Sequence, residues 1–440
     1  MMLTVNKKKL CNNELIHAGF RLCEEINRYG YEAYLVGGCV RDILMDKKIH
    51  DVDVATNMPI DELKDKFYWH DNNGEKHGTI LVNFAGHYIE TTQFRADGNY
   101  SDGRHPDSVE FSKSFEEDTK RRDFTINAIG LDADGKIVDF QNGQKDIEAG
   151  IIRAVGDPIA RFNEDALRIL RALRFASRFM FTIEWNTARA IQETKHKLTL
   201  IARERIGDEI RKASEYGDTQ FNYFVNLLIQ YGLTDIIEPC KCVDWQKAKL
   251  LIGRYIEEKS AHYLHAIKRQ EYADLMLAFV IAHSPNVPAV IQEFRYDNKL
   301  FGLMKFISEY QDLGWSRAFT VSNVYRLTKA SKSEHFRTYL RYMHSHYTMT
   351  LTSEQIRRLH KANKELVKYH DYITQKIVDR GYTGKAYGDA LRKYEEYICW
   401  KVFIGDGITQ KQLDELMNVV KSIQKSMPVQ SYSDVADREG

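Results

Sequence analysis

The chain has 440 residues, of which 43% are apolar and 28% charged, and its net charge is +1. A chain of this length exceeds a single hydrophobic core, so we expect several domains. The near-neutral balance excludes a globally basic nucleic-acid-binding protein, and any surface for nucleic acid must be a local patch. The longest strongly apolar run, residues 275–282, is far shorter than the roughly 20 residues that cross a bilayer.

The N-terminal segment and the cysteines indicate a reducing compartment. The segment is basic at its start but lacks the apolar core of a signal peptide. Six cysteines are spread along the chain, and the close pair Cys240 and Cys242 has no second pair downstream to complete a zinc site. We therefore expect free thiols in a cytoplasmic protein with no membrane partner.

The first part of the chain changes from a helical to a strand-like pattern. Residues 1–30 are predicted to form an amphipathic helix, because Phe20, Leu22 and Ile26 recur at near-helical spacing. Residues 34–137 contain short β-prone runs such as AYLV, TILVNF and YIETTQF, separated by Gly, Asn and Asp turn signals. This segment is therefore predicted to form a domain with a mixed sheet.

After Gly150 the pattern becomes almost wholly helical. Residues 161–212 carry 12 Lys and Arg against 7 Asp and Glu, which is a local basic excess. The predicted fold class is α+β, with a small mixed-sheet head followed by helical segments. We predict a head over 1–150, a helical neck over 151–215, a helical body over 216–340, a helical tail over 341–425, and disorder over 426–440.

The head contains a turn suited to a phosphate ligand. In YLVGGCVRD, a predicted strand at 34–36 runs into Gly37 and Gly38, and Arg41 follows on a predicted helix. Glycines let the backbone approach a ligand closely, and the start of a helix offers free N–H groups. A plain tight turn fits this pattern equally well until further residues are considered.

Three carboxylates follow this turn. Asp51 and Asp53 lie two residues apart in a predicted strand, so both are expected on one side of it. Glu90, in YIETTQF, projects from another strand that we expect beside the first. Carboxylates that face one another repel, and a pair of Mg²⁺ ions is the usual way in which such a cluster is stabilised.

A basic helix is predicted from about Asn163, with Asn163 as its N-cap. Its apolar stripe follows helical spacing, and four arginines fall away from that stripe. The stripe residues are Ala166, Ile169, Leu170 and Leu173, and the arginines are Arg168, Arg171, Arg174 and Arg178. A solvated basic face is the simplest interpretation of the arginines.

Asp165 and Arg168, three residues apart, are expected to be neighbours on one face of this helix. A carboxylate can only accept a hydrogen bond and a guanidinium can only donate one. Cytosine and adenine both present an amino donor beside a ring acceptor, which fits this pair. Uracil and guanine place a carbonyl against the carboxylate, so the pair could select C and A together.

The order and spacing of eight motifs between residues 15 and 212 resemble the class II tRNA nucleotidyltransferases. In that family, the positions that match Asp51 and Asp53 hold the catalytic metals, and the position that matches Glu90 completes the carboxylate set. The motifs are GGCVRD, DVD, KHGTI, IETTQFR, DGRHPDSVEFS, EEDTKRRDFTINA, RFNEDALRILRALRF and ERIGDE.

The resemblance also implies a set of nucleotide contacts. It assigns base selection to the residues that match Asp165 and Arg168. It places Asp102 and Arg104 in a flexible loop that switches between C and A, while Arg121 and Asp123 have no assigned role. The further positions that it implies for nucleotide binding are Gly38, Arg41, Arg122, Arg171 and Arg174.

The resemblance therefore implies a CCA-adding enzyme with a nucleotidyltransferase head. It would add CMP, CMP and AMP to the 3′ end of tRNA from CTP and ATP, with two Mg²⁺ ions and release of pyrophosphate. Three alternatives stay open at this point. They are an enzyme that adds A alone, a bacterial poly(A) polymerase, and an RNA-binding protein with an inactive nucleotidyltransferase head.

Overall fold

The computed structural model of the chain has two compact units, Met1–Lys241 and Cys242–Gly440. No helix within the described ranges is long and apolar enough to cross a membrane. The residues that the structure describes are 5–71, 75, 78–97, 109–237, 241, 243–259, 269–281, 287–310, 320–336, 338–340 and 351–419.

Seven strands of the described part of the first unit form one mixed sheet, in the order β3-β4-β5-β2-β1-β8-β9. Strand β2 pairs with β5 in parallel, and the other neighbours in this sheet are antiparallel. The strands are β1 (Ala33–Val36), β2 (Asp53–Thr56), β3 (Tyr68–His70), β4 (Thr79–Phe84), β5 (His87–Gln93), β6 (Arg95–Asp97), β7 (Val109–Phe111), β8 (Ile129–Leu131), β9 (Ile137–Asp139), β10 (Ile151–Ile152) and β11 (Thr182–Ile183). Short two-stranded sheets join β6 to β7 and β10 to β11.

Helices cover the sheet and continue beyond it. In the first unit they are α1 (Lys7–Leu10), α2 (Glu14–Arg28), α3 (Gly38–Leu44), α4 (Ile60–Lys66), α5 (Phe115–Lys120), α6 (Gly143–Ala149), α7 (Pro158–Glu164), α8 (Leu167–Phe179), α9 (Trp185–Thr194), α10 (Arg203–Ser214) and α11 (Asp218–Gln230). Short 3₁₀ helices occupy Thr125–Asn127 and Lys195–Leu200. The predicted fold class, a mixed-sheet head with a mostly helical remainder, is confirmed.

The predicted helix over 1–30 is wrong in extent, because two helices occupy the described part of that range. Asn13 separates α1 from α2, since its side chain accepts hydrogen bonds from the backbone N–H groups of Leu15 and Ile16. An asparagine that caps a helix in this way stands outside it. Helix α2 buries Phe20 and Ile26 against one face of the sheet, as their spacing predicted.

The predicted helix start at Asn163 is also wrong. Asn163 lies inside α7, which begins after the N-cap Asp157, and α8 begins only at Leu167. Asp165 stands between the two helices with extended backbone, φ −147° and ψ 103°. Its side chain accepts a hydrogen bond at 3.0 Å from the backbone N–H of Leu167, the first residue of the second helix, whose N-cap is Ala166.

The predicted apolar stripe of α8 is confirmed, since all four of its residues are buried. Helix α8 packs against α10 and α11, and Arg174 takes part in the contact with α10 through its bond to Glu209.

The second unit is helical throughout its described residues. Its longest helix begins with a capping box, in which Thr352 and Gln355 exchange side-chain and backbone hydrogen bonds. The helices are α12 (Trp245–Lys259), α13 (Arg269–Ile281), α14 (Val287–Glu293), α15 (Asn298–Tyr310), α16 (Val321–Ala330), α17 (Ser353–Asp379), α18 (Gly384–Phe403) and α19 (Gln410–Val419). The predicted disordered end, 426–440, lies outside the described residues, and the predicted head, neck, body and tail boundaries stay predictions.

Candidate active site

The glycine turn between β1 and α3 lies against a carboxylate and an arginine. Gly37 has φ +71° and ψ −132°, a conformation that favours glycine. A Cβ at Gly37 would stand 3.5 Å from Nη1 of Arg122 and 3.7 Å from Oδ2 of Asp53. The turn that the sequence predicted as a phosphate site therefore faces both a metal-ligand candidate and a cation.

Asp53 and Glu90 stand opposite each other on the neighbouring strands β2 and β5. Burial, with repulsion from Glu90 and Asp51, raises the pKa of Asp53 to about 7, and Arg122 opposes this rise. Strand β2 begins at Asp53, so Asp51 lies just before the strand instead of within it. The expected neighbourhood of Asp53 and Glu90 is confirmed by the strand register.

These carboxylates have the donor chemistry of a magnesium site. Mg²⁺ takes oxygen ligands and is usually held by one or two carboxylates together with substrate phosphates. No three His, Cys, Asp or Glu side chains in the described ranges are close enough to form a complete metal site. The oxygen donors of Asp51, Asp53 and Glu90 are of the kind that Mg²⁺ takes, and substrate phosphates commonly supply its further ligands.

Arg122 is held in place by Asp118, a residue to which the sequence analysis gave no role. The carboxylate of Asp118 is fully buried and pairs with Arg121 at 2.7 Å and with Arg122 at 2.9 Å. Although burial raises the pKa of Asp118, the two arginines lower it overall. The spacing of the three residues, i, i+3 and i+4 in EEDTKRRD, was a signal that could have revealed this cluster.

The backbone N–H of Arg168 donates to the carbonyl oxygen of Asp165 at 3.0 Å, but the two side chains bond to other residues. Arg205 of α10 donates from Nη2 to Oδ2 of Asp165 at 2.7 Å. Arg168 donates to Glu164 at 2.5 Å and to the carbonyl oxygen of Arg121 at 3.3 Å. The expectation that both residues lie on one helix is wrong, because the helix is interrupted at Asp165, and the ERIGDE motif supplies the partner of this carboxylate. The role of the two residues in base selection stays a prediction.

Arg171 and Arg174, two further arginines that were predicted to bind the nucleotide, each pair with a carboxylate. Arg171 donates to Asp123 at 2.6 and 2.8 Å, and Arg174 donates to Glu209 at 2.6 Å. Burial raises the pKa of Asp123, but Arg171 and a hydrogen bond from Asn127 lower it to about 2. Arg174 is also bonded to Tyr216, so little of its guanidinium is free for a ligand.

Arg41 lies inside the protein, with only 3% of its surface exposed. It donates to Asp42 at 2.9 Å and to Asn127 at 2.6 Å. Gly38, also predicted as a nucleotide contact, begins α3 directly after the turn. The loop residues Asp102 and Arg104 lie outside the described residues.

Two family models match the chain. Residues 33–153 match "Poly A polymerase head domain", and residues 180–240 match "Probable RNA and SrmB- binding site of polymerase A". The CCA-adding enzyme of Lactococcus lactis subsp. cremoris is 48% identical over 303 residues, which cover 66% of this chain and 71% of that protein. The chain belongs to the CCA-adding enzyme family of class II tRNA nucleotidyltransferases. Members of this family use a divalent metal ion.

Other relatives match a shorter part of the chain. The CCA-adding enzyme of Lactobacillus johnsonii is 48% identical over 199 residues, 45% of this chain and 50% of that protein. That of Ligilactobacillus salivarius is 50% identical over 185 residues, 42% of this chain and 46% of that protein. The chain thus spans about half the length of these relatives of the CCA-adding enzyme family.

Two solved CCA-adding enzymes share the fold of almost the whole chain. The Bacillus stearothermophilus enzyme in complex with CTP has a TM-score of 0.62 and 24% identity, and it covers 94% of this chain and 99% of its own. The Thermotoga maritima enzyme complexed with tRNA has a TM-score of 0.60 and 19% identity, and it covers 96% of this chain and 100% of its own. At these identities the likeness shows the fold.

Proposed function

We propose that the chain adds CMP, CMP and AMP in sequence to the 3′ end of tRNA, from CTP and ATP, without a nucleic-acid template. The observation that carries the proposal is the cross-strand pair of Asp53, which is half-buried, and Glu90, which is exposed, beside the Gly37 turn and Arg122. The relatives named CCA-adding enzymes, and the solved members in complex with CTP, ATP or tRNA, support these substrates. A cytoplasmic location, predicted from the sequence, is part of the proposal.

The carboxylates of Asp51, Asp53 and Glu90 would hold two Mg²⁺ ions. Bound there, these ions would lower the pKa of the attacking 3′-hydroxyl and neutralise charge on the triphosphate. The hydroxyl oxygen forms a bond to the α-phosphorus of CTP or ATP, and the bond to the leaving pyrophosphate breaks. Since the phosphates carry negative charge, Arg122 beside the turn is placed to bind them.

The protein's own groups act mainly by position. The backbone of Gly37 and Gly38 brings the triphosphate close to Asp53, and Arg122 lies on the same side of the turn. Asp165 and Arg168 would contact the edge of the base that cytosine and adenine share. No covalent intermediate with the chain is needed, so the rate enhancement comes from orientation and charge stabilisation.

A second candidate is a poly(A) polymerase, because the family model that matches the head is named for that activity. The two activities share the carboxylates and differ in the product. A CCA-adding enzyme stops after three nucleotides, whereas a poly(A) polymerase continues with AMP alone.

The proposed carboxylate role is tested with a tRNA transcript that lacks its CCA end, CTP, ATP and Mg²⁺. We expect Asp51→Ala and Asp53→Ala each to abolish addition while tRNA affinity stays unchanged, because neither carboxylate is needed to bind RNA. Asp61→Ala, which alters an exposed carboxylate of α4, should keep the wild-type rate. Wild-type turnover by either active-site variant would rule out the metal role.

A further inference from the structure

A chain of side-chain hydrogen bonds, which the backbone of helix α8 closes into a ring, joins the mixed-sheet part of the first unit to this helix. Its members are Arg178, Asp42, Arg41, Asn127, Asp123 and Arg171, and we call it the bridging ring. Arg178 and Arg171 both belong to α8 and lie seven residues apart, which places them on the same side of the helix about two turns from each other. The ring therefore begins and ends on one face of one helix.

Each link of the bridging ring is short. Arg178 donates to Asp42 at 2.8 Å, Asp42 accepts from Arg41 at 2.9 Å, and Arg41 donates to Asn127 at 2.6 Å. Asn127 then donates to Asp123 at 3.0 Å. The opposite oxygen of Asp123 accepts two bonds from Arg171, at 2.6 and 2.8 Å, and these return the chain of bonds to α8.

The middle of the bridging ring is shielded from water, whereas Arg171 and Arg178 at its ends are half-buried. Arg41, Asp42 and Asn127 are all buried. The guanidinium of Arg41 lies 4.8 Å from the ring centre of Phe179 and 5.3 Å from that of Phe175, and both aromatic rings belong to α8. A buried charged group that loses its partner pays a large desolvation cost, so each link constrains the next.

Asn127 is the link whose chemistry is most specific. It stands between a guanidinium, which can only donate, and a carboxylate, which can only accept. Its amide oxygen accepts from Arg41 while its amide nitrogen donates to Asp123. A carboxylate at this position would repel Asp123, and an apolar side chain would remove one hydrogen-bond partner from each of Arg41 and Asp123.

We propose that the bridging ring fixes the position of the glycine turn relative to α8, with Asn127 as its positioning residue and Arg41 as a member of the ring. This rests on the proposed function. The turn directly precedes α3, which carries Arg41, and Arg122 also donates to the backbone carbonyl of Asn127 at 3.3 Å. Because α8 begins just after Asp165, the ring sets the distance between the groups that bind the triphosphate and those that read the base.

A double-mutant cycle that exchanges the side chains of Asp123 and Asn127 tests the proposal. Asn127→Asp places two carboxylates face to face, and Asp123→Asn removes the partner of Arg171. We expect each single variant to lower kcat/KM for CTP by roughly 10- to 100-fold and to narrow the preference for CTP over UTP, because charge-assisted bonds are lost. In the double variant Asp123→Asn/Asn127→Asp, the new amide donates to the new carboxylate, so the ring forms again and both values should recover to within about fivefold of wild type.

The exposed residue Asn27 provides a matched control, and Asn27→Asp should leave all values unchanged. A double variant that recovers its unfolding midpoint but stays as slow as the worse single variant would overturn the proposal and place Asp123 or Asn127 against the substrate. Single variants with wild-type kcat/KM and base preference would also overturn it.

The same cycle is followed by the unfolding midpoint and by CTP affinity from titration calorimetry, neither of which needs turnover. A wild-type protein that binds CTP but adds no nucleotide contradicts the proposed function. In that case, recovery of both the midpoint and the CTP affinity in the double variant supports the ring, and failure of either to recover overturns it.

Discussion

Arg205 donates to both carboxylate oxygens of Asp165, from Nη2 to Oδ2 at 2.7 Å and from Nη1 to Oδ1 at 3.4 Å. The bond joins α10 to the short break between α7 and α8. A carboxylate has about four acceptor directions, so Asp165 can be held by Arg205 and still accept the amino group of a base. Arg205 is therefore a positioning residue for the proposed base contact.

We expect Arg205→Ala to lower kcat/KM for both CTP and ATP by roughly 10- to 100-fold, because a hydrogen bond to a charged group contributes about 1.5–3 kcal/mol. The preference for CTP and ATP over UTP, measured as the ratio of their kcat/KM values, should fall as well, since Arg205 would no longer hold the side chain of Asp165. The control is Arg203→Ala, which alters an exposed arginine of the same helical turn. If Arg205→Ala instead tightens CTP binding, Arg205 competes with the base for Asp165.

Arg168→Ile tests the other half of base selection. This variant removes every donor of the guanidinium, which now contacts Glu164 and two backbone carbonyls. We expect a loss of about 1–3 kcal/mol in discrimination against UTP and GTP, or roughly 5- to 150-fold, measured as kcat/KM for four nucleotides on one tRNA. Arg189→Ile, an exposed arginine of α9, is the control. If Arg168→Ile is slow but keeps the full preference for CTP and ATP over UTP and GTP, Arg168 contacts phosphate or RNA instead of the base.

Asp53 and Asp118 should affect stability with opposite signs. The pKa of Asp53 is raised to about 7 from 3.8, so folding favours its protonated form. The contribution of Asp53 to the free energy of unfolding is favourable below pH 3.8 and is lost as the pH rises towards 7. We expect Asp53→Asn to raise the unfolding midpoint at pH 8 in the presence of a chelator, with no difference near pH 4.

Asp118 is the matched comparison, because two arginines lower its pKa and folding favours its ionised form. Its contribution is present above the unfolded pKa of 3.8 and is lost as the pH falls below that value. Asp118→Asn should destabilise the protein by about 1.5–3 kcal/mol at pH 8, since it removes the charge from the bonds that Asp118 accepts from Arg121 and Arg122. If Asp53→Asn and Asp118→Asn shift the unfolding midpoint at pH 8 equally and in the same direction, the opposite pKa shifts assigned to Asp53 and Asp118 are contradicted.

The loop that contains Asp102 and Arg104 is predicted to switch the site between C and A. We expect Asp102→Ala or Arg104→Ala to slow AMP addition to a tRNA ending in CC more than CMP addition to a tRNA without CCA. Lys113→Ala, in an exposed residue after the loop, should affect neither step. If AMP addition and CMP addition slow equally, the loop has a structural role and does not switch the site between C and A.

Local patterns predicted the parts of the site that depend on regular structure. Alternation along β5 and the run DVDVAT placed Glu90 beside Asp53, and helical spacing identified the buried stripe of α8. Both predictions use periods that the backbone itself imposes. They hold wherever the strand or helix is continuous.

The partners of the charged residues could not be predicted in this way. The i, i+3 rule paired Asp165 with Arg168, but the helix is interrupted at Asp165, and Arg205 lies forty residues further along the chain. The family resemblance implied that Arg41 contacts the nucleotide. Its guanidinium donors equally suit Asp42 and Asn127, and only the fold decides which partner they meet.

The most direct test of the central claim offers the purified protein three tRNAs, which end before the CCA, after the first C, or after CC. Each is incubated with Mg²⁺, CTP and ATP, and the products are sequenced. The proposed function predicts that all three are completed to CCA and that extension then stops. Extension of the CC-ending tRNA alone would show an A-adding enzyme, runs of A would show a poly(A) polymerase, and no extension would leave an RNA-binding protein; each result would contradict the account.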